Sequence, residues 1–251
     1  MTSARISRRQ QAFRAEFRDR IARAYSGPVH VALIAGIGLA AIWYCARQIA
    51  APAWYEFTVV PIAFGIANAF EWWIHKYVMH RPVAGLMGIY RRHTLAHHQF
   101  FTDVEPSFDD TRDFRIVFFP PYALVAFIGL SIGPAALLYI FGLPNAAWLL
   151  MITNVALYLN YEAFHYCCHV KDDRLVQRIP LVNTIRRHHI AHHAPDVMMA
   201  RNFNLTYPIA DWVFGTSDLD RGLLGHLFNG YSRRFLRREN QPTSDGLSAA
   251  K

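Results

Sequence analysis

The chain has 251 residues, enough for one or two domains, and is 53% hydrophobic and 14% aromatic with only 18% charged residues. A formal charge of +8 is compatible with nucleic acid, an anionic membrane surface or an acidic substrate, but the long uncharged runs described next select the membrane and leave nothing that calls for nucleic acid. The three cysteines, Cys45, Cys167 and Cys168, form no C-x-x-C motif and two are neighbours, which excludes a disulfide framework and predicts reduced thiols.

Residues 1–27 carry seven arginines and no lysine, with Ile6, Phe13, Phe17, Ile21 and Tyr25 at roughly helical spacing. This is a basic amphipathic segment, expected either on an anionic leaflet or as a solvated extension. It lacks the shape of a signal peptide, because the first apolar run begins only after it. From Val29 to Ala46 there are 18 residues without a charged side chain, about the minimum for a spanning helix. A second run, Phe57 to Phe70, spans if the helix continues through Glu71-Trp72-Trp73-Ile74. The longest uncharged stretch, Ile116 to Tyr161, has 46 residues. One helix of that length would extend about 69 Å against a hydrocarbon core of roughly 30 Å, so it must fold back. Gly142-Leu143-Pro144-Asn145 has the turn chemistry for the reversal.

These runs predict an all-α integral membrane protein with four transmembrane helices as two hairpins. The expected organisation is a basic segment over 1–27, a membrane-embedded domain over 28–232 and a disordered tail over 233–251. Lys and Arg number seven in the N-terminal segment, six in 76–115 and twelve after His165, against a single Arg47 in the two reversals. By the positive-inside rule both termini and a helical cap lie on the cytoplasmic side.

Eleven of the thirteen histidines fall into four clusters on that side. They are His75 with His80; His93, His97 and His98; His165 with His169; and His188, His189, His192 and His193. Helical residues four apart share a face, so His93 with His97, His165 with His169, His188 with His192 and His189 with His193 can each present two imidazoles to one metal. His75 and His80, five apart, predict a distorted turn or a helix end. Two metals of four to six ligands would use about eight to ten imidazoles, and neutral imidazole suits iron, zinc, copper or nickel. No H-E-x-x-H zinc-protease helix is present, and a bis-histidine haem carrier needs far fewer histidines. His30 and His226 read as ordinary residues. Glu71 and Glu162 stand beside the clusters at the ends of apolar runs, where a carboxylate can accept the second ring N–H of a ligand and fix its tautomer.

From Glu71 to Thr216 the chain resembles the membrane fatty acid hydroxylase and sterol desaturase superfamily. The resemblance rests on Glu71-Trp72-Trp73-Ile74-His75 through His80, on Ile116 to Pro121, and on Tyr161-Glu162-Ala163-Phe164-His165 through His169. It continues through His188 to His193, Asn202-Phe203-Asn204 and Asp211 to Thr216. The closest pattern is that of fatty acid 2-hydroxylase. By position the resemblance implies metal ligation by His75, His80, His97, His98, His165, His169, His189, His192 and His193. His93 departs from it, because this box is spaced H-x-x-x-H-H rather than H-x-x-H-H. It joins the candidate ligands through the face it shares with His97. His188 is surplus and is placed beside the metals with Glu71 and Glu162.

The implied chemistry is O2-dependent hydroxylation of an unactivated C–H bond in a fatty acyl or sphingolipid-type chain by two iron ions, with zinc possible in purified protein. The lipid enters from the bilayer. Phe100, Phe101, Phe118 and Phe119 flank either its path or a membrane-facing aromatic belt. Without a flavin, haem or iron–sulfur motif, electrons must come from a separate donor of ferredoxin or cytochrome b5 type, docked on Arg91, Arg92, Arg186 and Arg187 unless these meet lipid phosphates. Three alternatives remain: a carotenoid or sterol hydroxylase or desaturase of the same superfamily, a membrane metal-binding or transport protein, and a membrane protein whose metals only tie its cap together.

Overall fold

A computed structural model describes residues 3–237, and all named elements among them are helical, with one isolated β-bridge between Leu219 and Leu236. The expected tail over 233–251 lies outside the described residues from 238 onward. Helix α1 (Ser3–Asp19) leads into α2 (Gly27–Arg47), whose N-terminus is capped by the Ser26 hydroxyl and carries Pro28 in its first turn, a position where proline loses no hydrogen bond. A short 3₁₀ turn, Trp54–Thr58, precedes α3 (Val59–Ile74), and α4 (Met87–Arg92) follows. Helices α5 (Pro121–Ile140) and α6 (Pro144–His169) form the second hairpin. The reversal falls at Gly142, where φ of +80° is a conformation natural to glycine, with Pro144 opening α6. Helix α7 (Val182–His192) closes the core of the site.

Three helical stretches are long and apolar enough to cross a membrane: Gly27–Arg47, Trp54–Met79 and Thr111–Ile140. Within each, only 17–22% of the most apolar window is buried inside the protein, so large side chains such as Leu39, Ile66, Leu130 and Ile140 face outward. Of the four stretches expected from the sequence, α6 is the one that does not join this set. The reason is its position. It packs against α2, α3, α5 and α7, and its buried face carries Asn145, Thr153, Glu162, His165 and His169. A helix enclosed by other helices can hold polar groups that a lipid-facing helix cannot.

The basic segment behaves differently from either expectation. Its apolar stripe turns inward: Phe13 and Phe17 pack on the core formed by Ile34, Phe100, Phe101, Phe108, Ile116, Val117, Phe118, Leu124 and Val155. Ile21 is buried as well. Phe100, Phe101 and Phe118 therefore belong to this core rather than to a membrane belt. Arg14 is 2% exposed, and Arg18 pairs with Asp109 (2.8 Å) and Asp113 (2.6 Å). Much of the stripe and two of the cations, Arg14 and Arg18, thus find partners within the protein.

Candidate metal centre

Two widened helical turns set the site. Beyond Ile74 the backbone opens into a π turn, His75–Met79, in which the His80 N–H donates to the His75 carbonyl (3.2 Å). Beyond Arg92 the same occurs over His93–His97, with the His98 N–H donating to the His93 carbonyl. In such a turn residues five apart, not four, lie over one another. The distorted turn expected at His75 and His80 is thus a π turn. The pairing expected for His93 with His97 is corrected: His93 lies with His98, and His97 turns away to a second group.

Ten histidines converge into two adjoining groups. In the first, the ligand atoms of His75, His80, His93, His98 and His192 lie within 4.8 Å of one another. In the second, His97, His165, His169 and His189 do the same. His193 completes the second group, its Nε2 lying 3.0 Å from that of His189 and 3.2 Å from that of His97. The doubled histidines straddle the two groups: His97 and His98 divide between them, as do His192 and His193. The rings of His98 and His193 stack across the boundary at 4.3 Å. Helices α3, α4 and α7 serve the first group, and α4, α6 and α7 the second, so the centre exists only when four separate segments come together.

The hydrogen positions follow from the partners. A carbonyl only accepts, so a ring nitrogen facing one must carry the proton. Nδ1 of His75 donates to Phe203 O, that of His169 to Pro106 O (2.6 Å), that of His192 to Arg201 O (2.8 Å) and that of His193 to Phe101 O (2.9 Å). In the neutral ring each Nε2 is then a bare lone pair aimed into the site. Lone pairs do not bond one another. Yet Nε2 of His93 lies 2.8 Å from that of His75, 3.2 Å from His80 and 3.1 Å from His98. In the second group His169 and His189 approach to 3.0 Å, and His165 and His97 to 3.3 Å. One nitrogen with at most one proton cannot satisfy three nitrogens by hydrogen bonding, whereas a cation satisfies all of them.

Metal–imidazole bonds of about 2.0–2.1 Å place adjacent nitrogens of a tetrahedral or octahedral shell about 2.8–3.4 Å apart, the range of the spacings observed. The rings are held ready for this. Burial, and after it the neighbouring imidazoles, pushes His93, His97, His98, His189 and His192 well below the usual histidine pKa. Burial likewise takes His193 to about 3 and His80 to about 2. All ten rings are 8% exposed or less. The donor set fits metal ions that accept neutral imidazole, iron and zinc among them.

The acids do not reach the imidazoles as expected. Glu71 accepts from Leu205 N (2.5 Å), Thr206 N (2.9 Å) and Thr206 Oγ1 (2.5 Å), and thereby anchors the loop whose Phe203 carbonyl fixes His75. Glu162 accepts from Phe119 N (3.0 Å). Each faces backbone amides because a distant loop folds onto it, which helical spacing alone does not reveal. His188 lies outside both groups, with Nε2 on the Asp211 carboxylate (3.1 Å). Asp211 also accepts from Phe203 N (3.0 Å), Asn204 N (2.6 Å) and Thr216 Oγ1 (2.6 Å); against burial, the His188 contact first, then the Thr216 and Asn204 bonds, hold its pKa down. The sequence reading missed Asp211; its only signal is an acid in an otherwise apolar closing segment. Three of the four arginines expected to dock a donor are engaged internally. Arg92 donates to Phe118 O (2.5 Å), Arg186 to Cys167 O (2.7 Å) and Cys168 O (2.6 Å), and Arg187 to Asp218 (2.9 Å). Arg91 alone is exposed.

A family model described as Fatty acid hydroxylase matches residues 60–216, more than half of the chain and every histidine of the two groups. No curated protein and no solved structure matches the chain.

Proposed function

The chain belongs to the fatty acid hydroxylase family, and from that premise we propose that it inserts oxygen from O2 into an unactivated C–H bond of a lipid acyl chain, using two histidine-held iron ions. The observation that carries this reading is the convergence of ten neutral imidazoles on two adjoining centres. A metal pair bound there supplies the redox chemistry that activates O2. One oxygen atom enters the C–H bond and the other leaves as water, so each turnover needs two electrons and two protons from outside.

The residues of this chain hold and orient the centre. Four backbone carbonyls fix the tautomers of His75, His169, His192 and His193, while Glu71 and Asp211 hold the loop that supplies two of those carbonyls, Phe203 O and Arg201 O. The five imidazoles of each group would hold one metal ion, and an ion that takes six ligands would keep room for O2, which a purely structural site does not need. Ligands gathered at helix ends on one face suit a lipid drawn sideways from the bilayer better than a transport path through its midplane.

Within the family, the order of the histidine boxes favours the fatty acid 2-hydroxylase type. The membrane arrangement is four spans, with both termini and the metal centre cytoplasmic. A ferredoxin or cytochrome b5 type of donor would approach near Arg91. Zinc fits the same donors and is expected to compete with iron in overexpressed protein.

The test is metal content per chain on detergent-purified protein, beside a His97→Ala, His192→Ala variant that removes one ligand from each group. About two iron per chain in the parent, lost in the variant, supports the reading and directs a search of lipid extracts for hydroxylated acyl chains. One metal or none in the parent overturns it.

A further inference from the structure

The segment from Phe100 to Ser107 runs between α1 and the second group of histidines, and its carbonyls face both ways. Those of Phe100, Glu105 and Ser107 accept from α1. Gln10 Nε2 donates to Phe100 O (2.8 Å) and Glu105 O (2.9 Å). Arg14 Nε donates to Phe100 O (2.8 Å), and Arg14 Nη2 to Glu105 O and Ser107 O (2.9 Å each). The carbonyls of Phe101 and Pro106 instead accept from His193 Nδ1 (2.9 Å) and His169 Nδ1 (2.6 Å). The side chains repeat the division. Arg14 lies over the Phe100 ring at 4.9 Å, while the Phe101 ring stacks on His169 at 4.0 Å.

Gln10 and Arg14 are 3% and 2% exposed, and Gln10 also accepts from Thr102 Oγ1 (2.9 Å). A buried guanidinium and amide are costly unless their donors are met, and here the partners are the carbonyls that alternate with those of the site. The first group is served by other means: its carbonyls, Phe203 O and Arg201 O, belong to a loop anchored by Asp211 and Glu71. Helix α1 also lies outside the residues matched by the family model.

We infer that Gln10 and Arg14 are positioning residues for the second metal site alone: by pinning Phe100–Ser107 they fix the two carbonyls that orient His169 and His193. This rests on the two-metal reading above. A helix that merely covered the core would affect both groups alike.

The experiment uses the full chain in detergent, stripped of metal and reloaded with cobalt(II), reading cobalt per chain and its release to a chelator. Arg14→Ala is expected to release one of two equivalents roughly tenfold faster, the effect typical of losing a partner behind a ligand. Gln10→Ala should shift release in the same direction by less, and Arg20→Ala, at an exposed position just beyond the end of the same helix, should change nothing. Adding Arg14→Ala to His192→Ala, which leaves the second group intact, should release the remaining cobalt. Adding it to His97→Ala, which leaves the first group, should not. Equal weakening in both backgrounds, or in neither, overturns the inference. If Arg14→Ala does not fold, Gln10→Ala is judged by the same criteria. A parent chain that binds no cobalt overturns the two-metal reading and this inference with it, whereas two tightly held equivalents in both parent and Arg14→Ala overturn the inference alone.

Discussion

His188 and His189 are neighbours in the chain with different fates, and the difference is testable. His189 points into the second group, 3.0 Å from His169 and from His193, whereas His188 points away to Asp211. His189→Ala should lose about one metal per chain, while His188→Ala should keep both. The buried Asp211 carboxylate is then left short of one partner, at a stability cost of about 1–3 kcal/mol. Metal analysis and thermal unfolding of the two variants check this, and metal loss in His188→Ala would assign that ring a ligand role. Burial of neutral rings also gives the metal-free chain a defined pH dependence. For His193 the folded pKa of about 3 lies below the ordinary value of 6.5, so below pH 6.5 the unfolded chain takes up a proton that the folded chain refuses. Stability should therefore be flat above about pH 6.5 and fall beneath it, by about 1.4 kcal/mol per pH unit for each such ring, down towards the folded pKa. Melting of the stripped protein between pH 7.5 and pH 4.5 reads the slope, and a midpoint that stays constant would mean that the rings are not held neutral by burial.

At the scale of the element, the π turns decide which histidine serves which group. Opening a helix to a wider turn frees backbone carbonyls that need other donors. The Met79 carbonyl finds one in Thr94 Oγ1 (2.7 Å), and the same hydroxyl lies 3.3 Å from His80 Nδ1. Thr94→Val keeps the shape and removes the hydroxyl. It should cost about 1–2 kcal/mol and weaken metal in the first group roughly tenfold, with Thr94→Ser restoring both. Metal titration that finds the second group weakened instead would exclude this role. The turns also mark the limit of what sequence discloses. The four clusters, the ten ligand candidates and the reversal at Gly142 were legible, because repeated imidazoles and long uncharged runs are strong signals. The partition was not. His97-His98 offers spacings of four and five from His93, and only the backbone selects five. The extra residue that separates this box from the H-x-x-H-H pattern is the kind of insertion a π turn absorbs. The partners of Glu71 and Arg186 were equally out of reach, since they are mostly backbone groups brought in by segments with no recognisable pattern.

For the whole molecule the central question is whether α6 crosses the membrane, since it is less apolar than the three stretches that stand out as spans. On the four-span reading proposed above, connectivity requires that it does. His93–His98 and His165–His169 are joined in one centre, yet between them the chain leaves through Thr111–Ile140, a stretch long and apolar enough to cross. Whatever crosses once must cross back before His165, and α6 is the only helix in that interval. At 26 residues it extends about 39 Å, ample for a hydrocarbon core of roughly 30 Å. Its far end is fastened to the other hairpin by Glu56, which accepts from Asn145 N (3.1 Å), Asn145 Nδ2 (3.0 Å) and Ala146 N (3.2 Å). The two reversals thus meet on the face opposite the histidines. Single cysteines placed in a cysteine-free background should divide accordingly. Trp54→Cys and Phe141→Cys, at positions 80% and 77% exposed, should react with an impermeant maleimide in intact cells. Arg91→Cys and Lys171→Cys, on either side of the α5–α6 hairpin in sequence, should react only after lysis. Labelling of position 171 from outside while position 91 stays protected would mean that α6 does not return, and the two histidine groups could not then assemble as they do here.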